Sequence, residues 1–193
     1  LPYWPPPRSP DLYRPAASIL LALRHMAGDG NPIVFRVVSI VLSAAASVGV
    51  LMLATRLLST RVALGVALIF AAHPLHVEAV ALAVAQNELV VAFLAAAVTA
   101  RYVQRRRAGG LTGLDWALVV GGFAVASLFK EHGLILPGFL VIAEVVLIED
   151  ESWRRRLGKL WGGYAALAGV AIAVVVTRTA VLGGRLEASV VAE

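Results

Sequence analysis

The chain has no cysteine and few charged residues, and each of these absences excludes a class of protein. Of its 193 residues, 15% are charged and 60% are hydrophobic. The missing cysteines exclude disulfides, thiolate nucleophiles and cysteine-ligated metals. Soluble domains are about a quarter charged and about half apolar, so this composition predicts an integral membrane protein. The mean hydropathy of +0.83 agrees with that prediction.

The positive net charge does not predict a nucleic-acid partner. The net charge is +5, but basic residues gather in the inner loops of membrane proteins. Six of the 17 lysines and arginines fall in two triplets, Arg105–Arg107 and Arg154–Arg156. We therefore expect membrane lipid as a partner, and no nucleic acid.

The ends of the chain carry no targeting signal. The sequence begins at Leu1 and shows no basic segment followed by an apolar stretch and a cleavage site. We interpret it as a fragment of a longer protein, forming a single membrane domain over 1–193. Residues 1–32 are predicted to form a non-cytoplasmic loop and an interfacial helix, 33–182 the spans, and 183–193 a non-cytoplasmic tail.

Apolar segments separated by short polar turns predict an all-α, polytopic transmembrane bundle of about six spans. An even number of crossings separates the two arginine triplets, so both lie on the inner side. The unusual polar residues then collect on the opposite face. The predicted spans are about Ile33–Leu58, Val62–Ala85 with a kink at Pro74, Leu89–Val103, Trp116–Phe129, Leu134–Ile148 and Leu160–Leu182.

The segment from His73 to Leu89, HPLHVEAVALAVAQNEL, places polar groups inside very apolar sequence. His73 and His76 are three residues apart and suit one helical face, but Glu78 lies about 200° around the helix from His76. That geometry disfavours a metal site, and we predict no metal. In the simpler alternative His73 caps a helix, Pro74 takes its first position, and Glu78 favours the helix N-terminus.

Further polar groups are expected on the same outer face. Adjacent residues on a helix do not face one another, so Lys130 and Glu131 should have partners elsewhere. Arginine can form paired bonds to phosphate oxygens, and a carboxylate can orient a hydroxyl. These residues predict a site that recognises a lipid phosphate. The candidate binding residues are Arg14, His73, His76, Glu78, Glu88, Lys130, Glu131 and Arg178.

Four short segments resemble those of a known family, the transmembrane and tetratricopeptide repeat-containing O-mannosyltransferases of the GT-C glycosyltransferase superfamily. The segments are Tyr13-Arg14-Pro15, His73–Val80 (HPLHVEAV), Lys130–Gly133 (KEHG), and Arg178 followed by Gly183-Gly184, while Tyr3-Trp4 resembles a fifth. HPLHVEAV is the most specific of them. The sequence departs from the family at Ala85-Gln86, where the family has Gly-Arg, and at Pro2, where it has Asp.

The resemblance implies a GT-C-like membrane enzyme that moves mannose from a polyprenyl or dolichyl phosphate to a protein serine or threonine hydroxyl. The reaction would occur on the non-cytoplasmic face, with the lipid-linked sugar as donor and no separate cofactor. The family's catalytic acid would precede Leu1, so no catalytic residue is assigned.

The residues alone are also compatible with a different class of function. A multi-pass transporter or flippase for a lipid-linked or small polar substrate would use the same polar residues along a path. It predicts acids near the centres of several spans, whereas here they crowd toward one end. The alanine- and arginine-rich composition leads us to expect the bacterial plasma membrane in preference to the endoplasmic reticulum.

Overall fold

Helices make up the architecture of the chain. The computed structural model describes residues 13–82, 85–148 and 152–191, with side chains as far as Leu182, and these residues contain no strand. The predicted all-α class is therefore confirmed. The helices are α1 Pro15–Gly28, α2 Pro32–Leu57, α3 Thr60–Ala72, α4 Val77–Ala81, α5 Asn87–Arg107, α6 Gly113–Phe129, α7 Leu136–Val146, α8 Trp153–Lys159 and α9 Trp161–Val191. The resemblance at Tyr3-Trp4 and the departure at Pro2 lie outside the described residues.

Helix α1 forms where the sequence predicted a helix, and the turn that ends it is the predicted one; its position at the membrane interface stays a prediction. Asp29 takes a left-handed conformation with φ of 47°, which terminates the helix. Asn31 then caps α2 by accepting a hydrogen bond from the amide of Ile33 at 2.9 Å. The apolar side chain of Met26 is exposed, whereas Arg24 is buried with its guanidinium over the ring of Phe35. The apolar face of α1 thus points away from the protein, as expected of a helix lying against lipid.

Within the described part of the chain, two helices are long and apolar enough to cross a membrane, α2 and the part of α9 from Trp161 to Leu182. A third crossing is possible if Thr60–Ala72 and Pro74–Ala81 form one span, which is bent by 47°. The predicted kink at Pro74 is thereby confirmed. The count of six spans is not confirmed, because α6 has 17 residues and α7 only 11. Eleven helical residues rise only about 16 Å.

The contact between α2 and α5 depends on small residues. Helix α2 packs on α5 through Ala46 and Gly49, both buried. A Cβ at Gly49 would come within 3.1 Å of the ring of Phe93. Ser39 contributes as well, since it is buried and receives a hydrogen bond from the side chain of Gln86. Small residues therefore permit the close approach of α2 and α5.

Helix α5 runs from one charged end of the bundle to the other. It has 21 residues, which gives a length of about 30 Å. Glu88 lies in its first turn and Arg105, Arg106 and Arg107 in its last. We call the end with Glu88 the site end and the opposite end the arginine end.

A buried carboxylate ties four helices together at the arginine end. Glu144 of α7 is completely buried. It accepts two hydrogen bonds from Arg106, at 2.7 and 2.9 Å, and one from the hydroxyl of Tyr102 at 2.8 Å. Arg156 of α8 lies 3.3 Å from the same carboxylate and donates to the Glu144 carbonyl at 2.7 Å. Tyr164 of α9 completes the cluster, 3.0 Å from the Tyr102 hydroxyl.

A second carboxylate neutralises two more arginines beside it. Asp115 forms a reciprocal cap with Thr112 at the start of α6, and Arg101 and Arg105 donate to it at 2.9 and 2.8 Å. Hydrogen bonds from Thr112, followed by those of Arg105 and Arg101, hold the pKa of Asp115 well below its usual range. The carboxylate therefore stays charged and fixes the start of α6 against α5.

Glu144 generates a prediction about stability. Replacing Glu144 with glutamine leaves the buried Arg156 and the partly buried Arg106 without this counter-charge, so we expect the free energy of unfolding to fall by about 3 kcal/mol. The matched control is Glu78→Gln, because Glu78 is exposed and forms no ion pair with any described residue. The control should change stability by less than about 0.5 kcal/mol. Thermal or denaturant unfolding in detergent measures both, and equal effects would contradict the role given to Glu144.

Candidate functional site

The HPLH segment forms the bend at the site end. His73 caps a short 3₁₀ turn, Pro74–His76, by accepting a hydrogen bond from the amide of Leu75 on its Nδ1 at 3.2 Å. Pro74 occupies the first position of that turn, and Glu78 lies in the first turn of α4. The capping interpretation of this segment is therefore confirmed. Its consequence is that α4 turns away from the axis of α3 and presents His76 and Glu78 to the site end.

One carboxylate joins the two most distant parts of the described chain. Arg14 donates two hydrogen bonds to Glu131, at 2.8 and 3.4 Å, across 117 residues. Arg178 of α9 approaches the same carboxylate at 3.1 Å. Burial raises the pKa of Glu131, but the hydrogen bond from Arg14 and the charges of Arg14 and Arg178 together bring the pKa below its ordinary value. Glu131 thus stays ionised and holds the two guanidinium groups together.

A second ion pair lies beside the first. Lys130 pairs with Glu88 of α5, and the Nδ1 of His132 lies 3.6 Å from the other oxygen of Glu88. Lys130 and Glu131 are adjacent, yet they bond to carboxylate and guanidinium groups on different elements. The expectation that these two residues have separate partners is confirmed.

A close backbone contact positions the turn that carries both pairs. The 3₁₀ turn Glu131–Ile135 lies against the end of α6. Gly133 is buried there, and a Cβ at that position would come within 2.4 Å of the backbone of Ala126. Only glycine fits such an approach. This explains, in physical terms, the glycine of the KEHG segment.

The two ion pairs border two cavities of different character. The larger cavity has a volume of 510 Å³, and its polar lining residues are Arg14, His76, Glu78, Glu88 and Lys130. The smaller has a volume of 270 Å³ and is lined by Tyr13, Glu131, Arg178 and Thr179 together with apolar residues of α6 and α9. Because Arg14 lines the larger cavity and pairs with Glu131 of the smaller, the two cavities share a wall of charged groups.

The structure brings together seven of the eight predicted site residues. Arg14, His76, Glu78, Glu88 and Lys130 line the larger cavity, and Glu131 and Arg178 the smaller. His73 is not among the residues that line either cavity and acts on the backbone of the bend instead. Their roles in binding remain predictions. Among the described residues, no group of three or more histidine, aspartate or glutamate side chains has the geometry to hold a metal ion.

Sequence reasoning missed the role of Gln86. Its side chain is buried, and its amide donates to the carbonyl of Phe35 at 3.2 Å as well as to Ser39. These bonds fix the start of α5, and hence Glu88, against α2. The departure from the Gly-Arg of the resembling family thus has a structural consequence. The available signal was the pair of amides, Gln86-Asn87, that follows an apolar run.

The fold and the site together indicate the class of protein. The chain is a helical protein with apolar helices of membrane-spanning length and a charged, two-cavity site at one end of the bundle. Residues 10–179 match the family described as dolichyl-phosphate-mannose-protein mannosyltransferase. The chain therefore belongs to that family.

Two curated relatives support the assignment and agree with the resemblance seen in the sequence. The chain is 29% identical over 145 residues to the protein O-mannosyl-transferase TMTC3 of Homo sapiens. The matched region is 74% of this chain and 16% of the relative. The chain is 32% identical over 147 residues to the same-named protein of Mus musculus, with the same coverage. The chain thus spans about a sixth of the length of these relatives. No solved structure matches it.

The ion pair at Glu131 generates a pH-dependent prediction. A double-mutant cycle with Arg14→Gln and Glu131→Gln should give a coupling free energy of about 1 kcal/mol at pH 7, because the pair is bidentate and half-buried. The pKa of Glu131 is depressed below the value of 4.5 that applies when unfolded. The coupling is therefore fully present above pH 4.5 and is lost as the pH falls through the folded-state pKa.

Unfolding in detergent across that pH range measures the coupling. The control cycle pairs Arg14→Gln with Glu144→Gln, which lie at opposite ends of the bundle, and it should give a coupling near zero. A coupling at Glu131 that is absent at pH 7, or that grows as the pH falls below 4.5, would show that the ion pair does not form as described.

Proposed function

We propose that this chain is the membrane part of a glycosyltransferase that moves mannose from a polyprenyl or dolichyl phosphate to a serine or threonine hydroxyl of a protein. The observation that supports it is the layer of charge at the site end, where Glu131 holds Arg14 and Arg178 together beside Lys130. Membership of the mannosyltransferase family supports the reaction class.

The donor phosphate is assigned to the cations around Glu131. Glu131 brings the guanidinium groups of Arg14 and Arg178 to one place, where both can also contact a phosphate. Arginine forks match phosphate oxygens geometrically and remain charged when partly buried. The smaller cavity adds an apolar wall from Leu134, Val174 and Val175. A cavity with guanidinium at one side and aliphatic side chains at the other suits a phosphate attached to an isoprenoid chain.

The sugar and the acceptor are assigned to the larger cavity, because its lining is richer in polar groups. Glu88 is paired with Lys130 there, whereas Glu78 is exposed and forms no ion pair with a described residue. Glu78 is therefore free to accept a hydrogen bond from a sugar or acceptor hydroxyl. His76 lies nearby, tilted against the ring of Phe70 at 4.3 Å.

The transfer makes and breaks one bond at the sugar's anomeric carbon. The acceptor oxygen forms a bond to that carbon as the carbon–oxygen bond to the phosphate breaks. The bonding electrons leave with the phosphate, and the hydroxyl proton passes to a base. Arg14, Lys130 and Arg178 stabilise the negative charge that develops on the leaving phosphate.

The site end is assigned to the non-cytoplasmic side of a multi-pass bundle. Arg105–Arg107 and Arg154–Arg156 lie in α5 and α8 at the opposite end, as the distribution of basic residues in membrane proteins requires. The six-span arrangement and a bacterial plasma membrane remain part of this proposal, and the two relatives reported above are mammalian.

Substituting the phosphate-binding cations tests the proposal. In the full-length protein, Arg178→Ala and Lys130→Ala should each lower mannose transfer to an acceptor peptide about 100-fold, because each removes a charge that stabilises the leaving phosphate. Arg178→Lys should recover part of that loss, since the charge returns without the fork. Transfer from radiolabelled polyprenyl-phosphate mannose measures the effect.

The matched control is Arg155→Ala, which removes an exposed arginine from the arginine end and should leave transfer within about twofold. Unchanged transfer in Arg178→Ala and Lys130→Ala would contradict the phosphate assignment. Movement of the lipid-linked sugar across vesicle membranes without any transfer to peptide would favour the transporter alternative.

A further inference from the structure

The arginine end carries positive charge that the described carboxylates do not neutralise. Asp115 accounts for Arg101 and Arg105, and Glu144 for Arg106 and Arg156. Two other arginines, at the ends of α2 and α5, behave differently. Neither Arg56 nor Arg107 forms an ion pair with a described residue.

These two arginines meet at one place. The guanidinium of Arg107 donates a hydrogen bond to the backbone carbonyl of Arg56. The Nε of Arg56 is buried and has no hydrogen-bond partner among the described residues. A buried donor without a partner costs free energy, so such a group in a native protein points to a missing acceptor.

An apolar groove begins at the same place. It lies between α2, α5 and α7, has a volume of 430 Å³, and is lined by Leu53, Leu57, Ala96, Phe139 and Ile142 among other residues. Leu57 directly follows Arg56, and Leu53 lies three residues before it. Residues three apart are neighbours on a helix surface. Neither arginine lines the groove itself, but the groove reaches the helical turn that carries Arg56, whose carbonyl binds Arg107.

One polar side chain contributes to the wall of this groove. Thr99 lines it and is 6% exposed, and its hydroxyl has no hydrogen-bond partner among the described residues. A purely hydrocarbon occupant would leave that hydroxyl unpaired, and a free phosphate would have no use for the aliphatic walls. The occupant must combine an anion, a polar region and a hydrocarbon chain.

We infer that this groove binds an anionic phospholipid. Its phosphate contacts Arg56 and Arg107, one acyl chain lies along Leu53, Phe139 and Ile142, and an ester oxygen accepts the hydrogen bond of Thr99. The site lies at the opposite end of the bundle from the proposed donor site and is separate from it. Basic residues next to a membrane attract anionic head groups, and each contributes a several-fold increase in affinity.

Lipid retention by the purified full-length protein tests the inference. The protein in mild detergent is offered equal amounts of phosphatidylglycerol and phosphatidylcholine, and native mass spectrometry counts the bound lipid. The wild type should retain phosphatidylglycerol about tenfold over phosphatidylcholine, and the double variant Arg56→Gln/Arg107→Gln should lose most of that preference. Thr99→Val should weaken retention of both lipids by a few-fold, because an ester acceptor is present in each.

The matched control removes the same charge elsewhere. Arg154→Gln/Arg155→Gln takes two exposed arginines from α8 and should keep the wild-type preference. If this control loses the preference for phosphatidylglycerol equally, the preference comes from non-specific attraction between basic residues and anionic lipid, and the inference is wrong. Displacement of phosphatidylglycerol by an equal amount of polyprenyl phosphate would overturn it in favour of the donor lipid.

Salt dependence provides a measurement that needs no variant. Added salt screens charges, so the wild-type preference for phosphatidylglycerol should fall several-fold between about 0.1 M and 1 M salt. A preference that does not respond to salt would contradict a contact between head-group phosphate and arginine.

Discussion

One carboxylate, Glu131, holds the site end of this protein together. It receives Arg14 from the segment before the first helix and Arg178 from the last helix, so two distant parts of the chain meet on a single side chain. Removing ions from water is costly, and partly buried charges persist only when they are paired with good geometry. This constraint explains why the turn with Glu131 packs so closely on α6 through Gly133.

The same constraint separates the bundle into two polar ends with apolar helices between them. At the arginine end Glu144 and Asp115 take up four arginines and fix α5, α6, α7 and α8 to one another. At the site end the charged groups are less buried and border cavities. A buried network around Glu144 and Asp115 at one end and more exposed ion pairs beside cavities at the other suit a protein whose proposed substrate site lies at the more open end.

The fold class and the bend at Pro74 could be predicted from the sequence, because they depend on local chemistry. Proline fixes its own φ, and a histidine before it can cap the turn, so neighbouring residues decide the outcome. The separate partners of Lys130 and Glu131 followed from helix geometry in the same way. The identity of those partners did not, because Arg14 and Arg178 are distant in sequence and no local pattern brings them together.

Glu144 shows where such reasoning stops. It lies in an apolar run whose length predicts a span, although a single acid in such a run signals a buried partner. Its partners Arg106 and Arg156 belong to arginine triplets whose pattern in the sequence indicates only inner-loop charge. The triplets serve two purposes, since one member of each neutralises Glu144 while others remain exposed. The number of spans could not be predicted from the sequence either. Helices such as α7 are so short that their length and composition do not decide whether they cross the membrane.

The most direct test of the central claim is the position of the donor phosphate. A structure of the full-length protein with polyprenyl-phosphate mannose bound would locate it. We predict that the phosphate lies within hydrogen-bond distance of Arg14 and Arg178 and close to Lys130, with the sugar directed toward Glu78. A donor phosphate bound away from these three cations, with the Arg14–Glu131–Arg178 cluster unchanged beside it, would contradict the proposed site.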